Sequence, residues 1–240
     1  MTISLRLSAL GSLTGRGVRV AVIDSGVHAA HPHVQGVAGG IGIDEAGLEH
    51  DDYVDRLGHG TAVAAVLREK APAAEIFVVK VFDRELTTTA DALVAALRWA
   101  RRNNSRLVNL SLGTANPSHE LALAREVAAA AAAGTLVVAA GEQDGTRWLP
   151  GSLPGAVAVR LDMTLPRDVC EVTIADGGIT ISASGYPRPI PGVPVERNLK
   201  GLSFAVANAS GLLARALEGV APGADIRAVL RAVSSTSPSV

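Results

Sequence analysis

The stretch Val-Arg-Val-Ala-Val-Ile-Asp-Ser-Gly, residues 18–26, is a short apolar run that ends at an acid and a glycine. Similar runs, rich in valine and isoleucine, recur along the chain and alternate with longer, alanine-rich stretches of helical periodicity. This alternation is typical of a parallel sheet that is buried on both faces between helices. The sequence therefore predicts an α/β fold, a three-layer, doubly wound sandwich with a mainly parallel sheet.

The positions of these runs define the predicted elements. Strands are expected at residues 18–23, 76–81, 107–110 and 136–140. Helices are expected at residues 59–69, 89–103, 119–133, 203–218 and 224–233. Two segments rich in glycine, proline or charge, residues 36–55 and 187–200, are predicted to be surface loops.

Composition limits the organisation of the chain and the partners it can bind. With 240 residues, 48% of them hydrophobic, the chain can bury one sizeable core, so we expect a single minimal domain over residues 1–240. No pro-domain is expected, because Asp24 comes so early. The formal net charge of -1 leaves no basic surplus, which argues against nucleic acid and membrane partners. Cys170 is the single cysteine, which excludes an internal disulfide and favours a cytoplasmic location.

Three short motifs bring an acid, an imidazole and a hydroxyl into the chain in that order. Asp24 ends the stretch 18–26, His59 lies in Gly-His-Gly-Thr-Ala at 58–62, and Ser203 lies in Gly-Leu-Ser-Phe-Ala at 201–205. The order Asp, His, Ser is one that nucleophilic triads use. Each residue alone has a structural explanation, as a turn residue, a packed core histidine or a helix cap. Their order and the flanking glycines favour the functional interpretation.

The predicted fold sharpens this constellation. Asp24 falls at the carboxyl end of a strand, where open parallel sheets bind their ligands. His59 and Ser203 each follow a glycine and begin a predicted helix. At a helix start, the backbone N-H of Ser203 can face a developing negative charge. A hydrogen bond from His59 to the Asp24 carboxylate would offset the unfavourable effect of the helix dipole on a charged His59.

The motifs, their order and their spacing resemble the subtilisin-like serine peptidases, from near Gly17 to about Glu218. The resemblance implies that Asp24 orients His59, that His59 is the general base and acid, and that Ser203 is the nucleophile that forms an acyl-enzyme. The first two motifs match closely. The serine motif departs from the family's usual Gly-Thr-Ser-Met-Ala, although Ser203 stays in register.

The resemblance also implies a peptide-binding groove. Ser111, Leu112 and Gly113 are similar to the edge that pairs with an extended peptide, and Ala139, Ala140 and Gly141 are similar to a wall of the specificity pocket. Glycines at these positions would let a substrate backbone approach closely. Without the resemblance, the two glycines would be explained as strand ends.

Glu142 is the departure with the largest consequence, because the family typically has an asparagine there whose amide donates to the tetrahedral oxyanion. An ionised carboxylate cannot donate and would repel the developing charge. Four outcomes follow. An ionised Glu142 leaves a slower enzyme, with a loss on the order of 100- to 1,000-fold in turnover. A protonated Glu142 donates in place of the amide, Gln143 supplies an amide from a loop displaced by one residue, or the chain is a pseudoenzyme.

Two further polar clusters invite a metal interpretation that the sequence does not support. The histidines at 28, 31 and 33 lack a matching frame of cysteines or carboxylates, and the family commonly has a His-Pro pair where His31 and Pro32 stand. The acids between Asp44 and Asp55 lack calcium-loop spacing, so a solvated loop is expected there. Neither a metal nor another cofactor is expected.

These observations predict a serine endopeptidase, specifically a cytoplasmic processing protease of narrow specificity. Its substrate would be a precursor or partner peptide bound in extended form, with a partner subunit in a processing pathway as a further expectation. Two alternatives stay open at this point. One is a catalytically impaired pseudoenzyme that binds an extended peptide, and the other is a peptide ligase or cyclase, in which an amine captures the acyl-enzyme.

Overall fold

A computed structural model of the chain describes residues 1–235, so the last five residues of the predicted domain lie outside the described residues. Its strands are β1 (Thr2–Arg6), β2 (Arg19–Asp24), β3 (Gly39–Ile43), β4 (Glu49–His50), β5 (Glu75–Lys80), β6 (Leu107–Leu110), β7 (Leu136–Ala140), β8 (Glu142–Gln143), β9 (Thr146–Arg147), β10 (Ala156–Leu161), β11 (Val169–Ala175) and β12 (Gly178–Ala183). Its α-helices are α1 (His59–Lys70), α2 (Ala90–Arg102), α3 (Glu120–Ala132), α4 (Leu202–Ala216) and α5 (Ile226–Ser235).

Ten of these strands form one sheet, in the order β1-β11-β12-β10-β7-β6-β2-β5-β3-β4. From β12 to β3 every neighbouring pair is parallel, whereas the pairs at both edges are antiparallel. The remaining two strands, β8 and β9, form a separate hairpin. The predicted mainly parallel sheet is therefore confirmed.

The central strands are buried on both faces. In β2, Val20 and Val22 belong to one apolar core, and Ala21 and Ile23 belong to the other, because successive side chains of a strand point to opposite faces. The helices α1 and α4 cover the first core, and α2 and α3 cover the second. This arrangement is the three-layer, doubly wound sandwich that the sequence predicts.

The helices α1 and α4 lie in contact where they cross. A Cβ atom at Gly211 of α4 would lie 2.4 Å from the Cβ atom of Lys70, which is closer than two carbon atoms approach. Gly211 therefore lets the two helices that carry His59 and Ser203 pack directly together. None of the helices within residues 1–235 has the length and apolar character needed to cross a membrane.

The predicted elements match the structure well in the centre of the sheet and poorly at its edges. β6 and β7 have the predicted bounds, and β2 and β5 are shifted by one residue. The prediction of a surface loop at residues 36–55 is wrong, because this segment contributes β3 and β4 and ends at the buried Asp55. Residues 187–200 run over the surface with one short 3-10 turn, as predicted.

Candidate active site

A cleft of about 280 Å³ opens at the carboxyl ends of the neighbouring strands β2, β6 and β7. Ligands in open parallel sheets bind at this edge. The cleft is lined by His59, Phe82, Leu86, Ser111, Leu112, Gly113, Ala140, Trp148, Leu202 and Ser203. Six of the predicted site residues are in this set, so the fold brings together most of the site that the sequence indicates.

The other four predicted residues lie outside the wall of the cleft. Asp24 is fully buried behind His59. Ala139 lies in the core under α2 and α3, and Gly141 is buried with its N-H donating to the carbonyl oxygen of Val159 at 2.8 Å. Glu142 is exposed on the β8–β9 hairpin. Ala140 therefore lines the cleft, whereas its neighbours Ala139 and Gly141 pack or hydrogen bond within the sheet.

Asp24 and His59 are joined by a short hydrogen bond. The Oδ1 atom of Asp24 lies 2.7 Å from the Nδ1 atom of His59 and also accepts from the backbone N-H of Ser25 at 2.7 Å. Because a carboxylate only accepts, Nδ1 of His59 carries the proton, and in the neutral ring Nε2 is left with a free lone pair. This tautomer is the one that a general base needs.

The surroundings of His59 favour its charged form on balance. Burial lowers the pKa of His59, but its hydrogen bond with Asp24 and the negative charges of Asp24 and Asp55 raise the pKa above the ordinary value of 6.5. The ring also lies beside Phe204, with 5.6 Å between the ring centroids. The imidazole is thus oriented and able to hold a proton during a reaction.

Asp55 supports this arrangement from below, contrary to the prediction of a solvated loop. It is 1% exposed and accepts hydrogen bonds from the hydroxyls of Ser25 and Thr61, at 2.9 and 2.6 Å, and from the backbone N-H groups of Leu57, Gly58 and Thr61. The hydroxyl of Ser25 in turn accepts from the N-H of Gly60 at 2.9 Å. Asp55 therefore fixes the start of α1, and with it His59, against the end of β2.

Ser203 is the second residue of α4, where its backbone N-H has no acceptor within the helix. Its hydroxyl donates to the backbone carbonyl oxygen of Ser111 at 2.9 Å. The Ser111 hydroxyl accepts from the side-chain amide of Asn109 at 2.7 Å, and Asn109 is fully buried. Sequence reasoning missed Asn109, although a polar residue inside the apolar run of β6 was a visible signal.

The β8–β9 hairpin carries Glu142 away from a buried position. Asp144 and Gly145 form its turn with φ values of 50° and 75°, which is the two-residue turn that Asp-Gly favours. The guanidinium of Arg147 binds both carboxylate oxygens of Glu120, at 2.8 and 2.9 Å, and so ties the hairpin to the start of α3. Glu142 thus lacks the apolar surroundings that a protonated donor requires.

Gln143 does not provide a free amide in this conformation. Its side-chain carbonyl accepts from the backbone N-H of Leu161 at 2.9 Å, and its amide donates to the Asp144 carboxylate at 3.2 Å. The residues that line the cleft include neither Gln143 nor Glu142. In this conformation, the backbone N-H of Ser203 is the donor that the cleft offers to an oxyanion.

The remaining polar residues have structural surroundings. Among residues 1–235, no group of three or more His, Cys, Asp or Glu side chains could hold a metal ion. The backbone carbonyl oxygen of His31 accepts hydrogen bonds from the backbone N-H groups of Val34 and Gln35, as expected of a turn. Burial raises the pKa of the Cys170 thiol to about 12, so this residue is unsuited to act as a nucleophile.

Comparisons with known proteins identify the family and the fold of this chain. Residues 15–237 match the model of the subtilase family. Subtilisin E of Bacillus subtilis (strain 168) is 28% identical over 225 residues, which make up 87% of this chain and 55% of that protein. The chain therefore spans about half the length of the first curated relatives it matches.

Two solved structures share the fold. A cold adapted subtilisin-like serine proteinase superposes with a TM-score of 0.71 and 22% identity, over 93% of this chain and 83% of that one. The prenylagaramide maturation protease PagA superposes with a TM-score of 0.65 and 25% identity, over 88% of this chain and 79% of that one. The chain is an α/β protein of subtilisin-like fold, and it belongs to the subtilase family.

Proposed function

We propose that this chain is a serine endopeptidase in which Asp24, His59 and Ser203 form the catalytic triad. The observation that carries the proposal is the 2.7 Å hydrogen bond between Asp24 and His59 beside a cleft that both His59 and Ser203 line. Membership of the subtilase family supports the same activity.

The reaction follows from the geometry of these groups. Ser203 Oγ turns from the Ser111 carbonyl by rotation about its side-chain bond and attacks the scissile carbonyl carbon, while His59 Nε2 takes the hydroxyl proton. The N-H of Ser203 donates to the resulting oxyanion. His59 then gives its proton to the leaving nitrogen, the C-N bond breaks, and water hydrolyses the acyl-enzyme with His59 again as base.

Glu142 makes this enzyme slow. Loss of an amide donor at the oxyanion costs on the order of 100- to 1,000-fold in turnover, a magnitude taken from subtilisin itself. The structure exposes Glu142, and it lies outside the cleft wall, so we propose that it contributes no hydrogen bond to the reaction.

A processing role fits such an enzyme better than general degradation. Phe82, Leu86 and Trp148 line the cleft and reduce the space beside the edge at 111–113. The similarity to the maturation protease PagA supports the same interpretation. We propose that the substrate is a precursor peptide, bound as an added strand along this edge.

A fluorophosphonate probe tests the triad, because it labels an activated serine. We expect labelling at Ser203 in the wild-type protein, and none in Ser203→Ala. Ser210→Ala is the matched control, because Ser210 is buried in the same helix and lies outside the cleft wall. Absence of labelling at every pH from about 4 to about 9, in a protein that unfolds cooperatively, would remove the proposed activity.

One observation favours a second candidate, a peptide-binding pseudoenzyme. Ser203 Oγ donates to Ser111 and not to His59, and among residues 1–235 no side-chain amide lines the cleft to serve the oxyanion. In that case an extended peptide binds at the edge 111–113 and is recovered uncleaved. Ser203→Ala then binds the peptide as tightly as the wild-type protein does.

A further inference from the structure

A second and larger cavity, of about 480 Å³, lies next to the cleft. We call it the loop pocket, because the surface segment 187–199 forms one of its walls. Its lining includes Pro32, His33, Ala65, Arg188, Ile190 and Leu199. It shares no residue with the cleft wall, and neither the triad nor the edge at 111–113 makes use of it.

Two segments of chain run directly from the loop pocket to the reacting groups. Gly58 lines the loop pocket, and the next residue, His59, lines the cleft. Leu199 lines the loop pocket, and Leu202 and Ser203 line the cleft a few residues later. The pocket therefore begins beside His59, and its lining within residues 1–235 includes neither Ser111 nor Gly113.

The position of the loop pocket beside His59 indicates which part of a bound peptide it can contact. This step rests on the proposed function. When the acyl-enzyme forms, His59 Nε2 gives its proton to the leaving nitrogen, which keeps the electron pair of the broken C-N bond. The departing segment therefore starts next to His59. The loop pocket adjoins His59 through Gly58, so it is positioned to receive this segment.

The walls of the loop pocket are apolar and only partly covered. Ile190 and Leu199 are 45% and 54% exposed, although both are large hydrophobic residues. Pro32 and Ala65 continue the apolar surface on the opposite side. Covering such a surface with an apolar side chain of a ligand is favourable, because apolar area is removed from water.

The rim of the loop pocket is basic. Arg188 and three histidines are among its lining residues, which include no carboxylate within residues 1–235. Nη1 of Arg188 donates to the backbone carbonyl of His33 at 3.2 Å, so the guanidinium is held at the rim. The nearby Glu69 is already bound by both terminal nitrogens of Arg167.

A lowered pKa at His33 is consistent with a net positive rim, in which the charge of Glu69 offsets only part of the positive charge. Burial lowers the pKa of His33, the positive charges of Arg188 and His31 lower it further, and the opposing effect of Glu69 is smaller. An anion at the rim would be stabilised by the same charges that disfavour a charged His33.

From these observations we propose that the loop pocket binds the peptide segment that follows the scissile bond, and that it selects an apolar side chain adjacent to a carboxylate. The apolar side chain packs between Ile190, Leu199 and Pro32, and the carboxylate pairs with Arg188. The substrate class is thus a precursor whose segment after the cleavage site is apolar and acidic.

Matched peptides test this selection. They share one sequence before the scissile bond, and after it they carry Leu followed by Asp, Asn or Lys, or Ser followed by Asp. We expect kcat/KM for Leu-Asp to exceed that for Leu-Asn by about tenfold, the size of a moderate charge-assisted hydrogen bond. Ser-Asp is expected to lose a similar factor, because it leaves the apolar walls uncovered.

Substitutions at Arg188 test whether this residue causes the preference for Leu-Asp. Arg188→Met keeps the apolar stem and should make Leu-Asp and Leu-Asn equal, and Arg188→Glu should reverse the order to favour Leu-Lys. Arg197→Glu is the matched control, because Arg197 is an exposed residue of the same segment outside the pocket lining. If Arg197→Glu reversed the peptide preference as strongly as Arg188→Glu does, the preference would reflect the general charge of the segment and not the pocket. That result would overturn the proposal.

The two proposals fail in different ways. Cleavage of all four peptides at one rate overturns the loop pocket and leaves the peptidase intact. If the probe labels nothing and no peptide is cut, the proposed activity fails, and binding then decides the pocket. The probe is a labelled Leu-Asp peptide with a free amino terminus, and all variants tested carry Ser203→Ala. We expect the peptide to bind Ser203→Ala and Ser203→Ala/Arg197→Glu with equal affinity. It should bind Ser203→Ala/Arg188→Glu at least about tenfold more weakly. Equal binding to all three overturns the pocket.

Discussion

The two sides of the cleft hold their polar groups in opposite ways. On the acid-base side, Asp24 and Asp55 are buried and hydrogen bonded to the groups that position His59. On the hairpin side, Glu142 is exposed and Gln143 is bonded to its neighbours outside the cleft. The proton-transfer groups are thus preorganised, and the group expected to stabilise the oxyanion is not.

This difference separates two tasks that a serine peptidase performs together. Orienting His59 and moving a proton need only the side that is complete here. Stabilising the tetrahedral oxyanion needs a donor that the hairpin side lacks. Each of the following experiments alters one side and measures either the reaction rate or the stability that this side contributes.

The largest effect is expected when the acid-base side is broken. Asp24→Asn keeps the shape of the side chain but no longer fixes the proton on Nδ1 of His59, and such a change costs about 10⁴-fold in kcat in serine peptidases. We expect a loss of that order in the rate of fluorophosphonate labelling. The control is Asp225→Asn, an exposed acid next to α5. A loss smaller than about tenfold would mean that proton transfer does not limit the reaction.

The next effect should come from completing the hairpin side. Glu142→Asn supplies an amide at the position where the family has one. Because residue 142 lies on the hairpin outside the cleft wall, the hairpin must move before this amide can donate, and we expect the labelling rate to rise by no more than about tenfold. Glu142→Ala removes the charge without adding a donor, so it separates relief of repulsion from donation. An unchanged rate in both variants would show that residue 142 does not reach the oxyanion at all.

Asp55 tests how much the acid-base side depends on its support. Asp55→Ala leaves several buried donors without an acceptor, and we expect the free energy of unfolding to fall by about 2–4 kcal/mol. The control is Asp51→Ala, since Asp51 is an exposed acid of the preceding segment. Urea unfolding at neutral pH measures both.

The pH dependence of this support follows from its pKa. Burial raises the pKa of Asp55, but the hydrogen bonds from Thr61, Leu57 and Ser25 lower it more, so the folded-state pKa lies below 3.8. The stabilising contribution of Asp55 is therefore complete above about pH 4 and is lost as the pH falls through the folded-state pKa. The difference between wild-type protein and Asp55→Asn in free energy of unfolding should shrink in acid. A constant difference down to about pH 2 would contradict this account.

The smallest effect is a displaced midpoint in the pH profile. Because the pKa of His59 is raised above 6.5, the basic form appears only above that pH, and the labelling rate should rise through a midpoint on the alkaline side of 6.5. Asp24→Asn should move the residual midpoint downward. A wild-type midpoint below 6.5 would mean that burial outweighs Asp24.

The centre of this molecule could be predicted from sequence because its signals are local. The apolar runs at 107–110 and 136–140 have the length of buried parallel strands, and both strands have the predicted bounds. Near one edge of the sheet, β11 and β12 alternate buried residues with partly or fully exposed ones, because one face of these strands is incompletely covered. The pairing of β11 with β1 joins residues far apart in the chain, which no local pattern reveals.

The site shows the same division. The order of Asp24, His59 and Ser203 is visible as motifs, and the structure places Asp24 against His59. The support from Asp55 was missed because an acid among other acids has the pattern of a solvated loop. The Asp144-Gly145 pair is a sequence pattern that favours a two-residue hairpin turn. A hairpin predicted from this pair would have placed Glu142 in its first strand, as the structure does.

The backbone carbonyl oxygen of Ser111 can accept a hydrogen bond from two different groups. In the free protein it accepts from the Ser203 hydroxyl. If a peptide adds as a strand along 111–113, its own backbone N-H reaches for the same oxygen, and two donors sharing one carbonyl each hold it less tightly. Arrival of a peptide backbone would then release the hydroxyl towards His59. A small ester or a fluorophosphonate brings no such N-H, so it would react only with the fraction of molecules in which the Ser203 hydroxyl has already left the Ser111 carbonyl. Selectivity for peptides would then depend on the backbone as well as on the side chains.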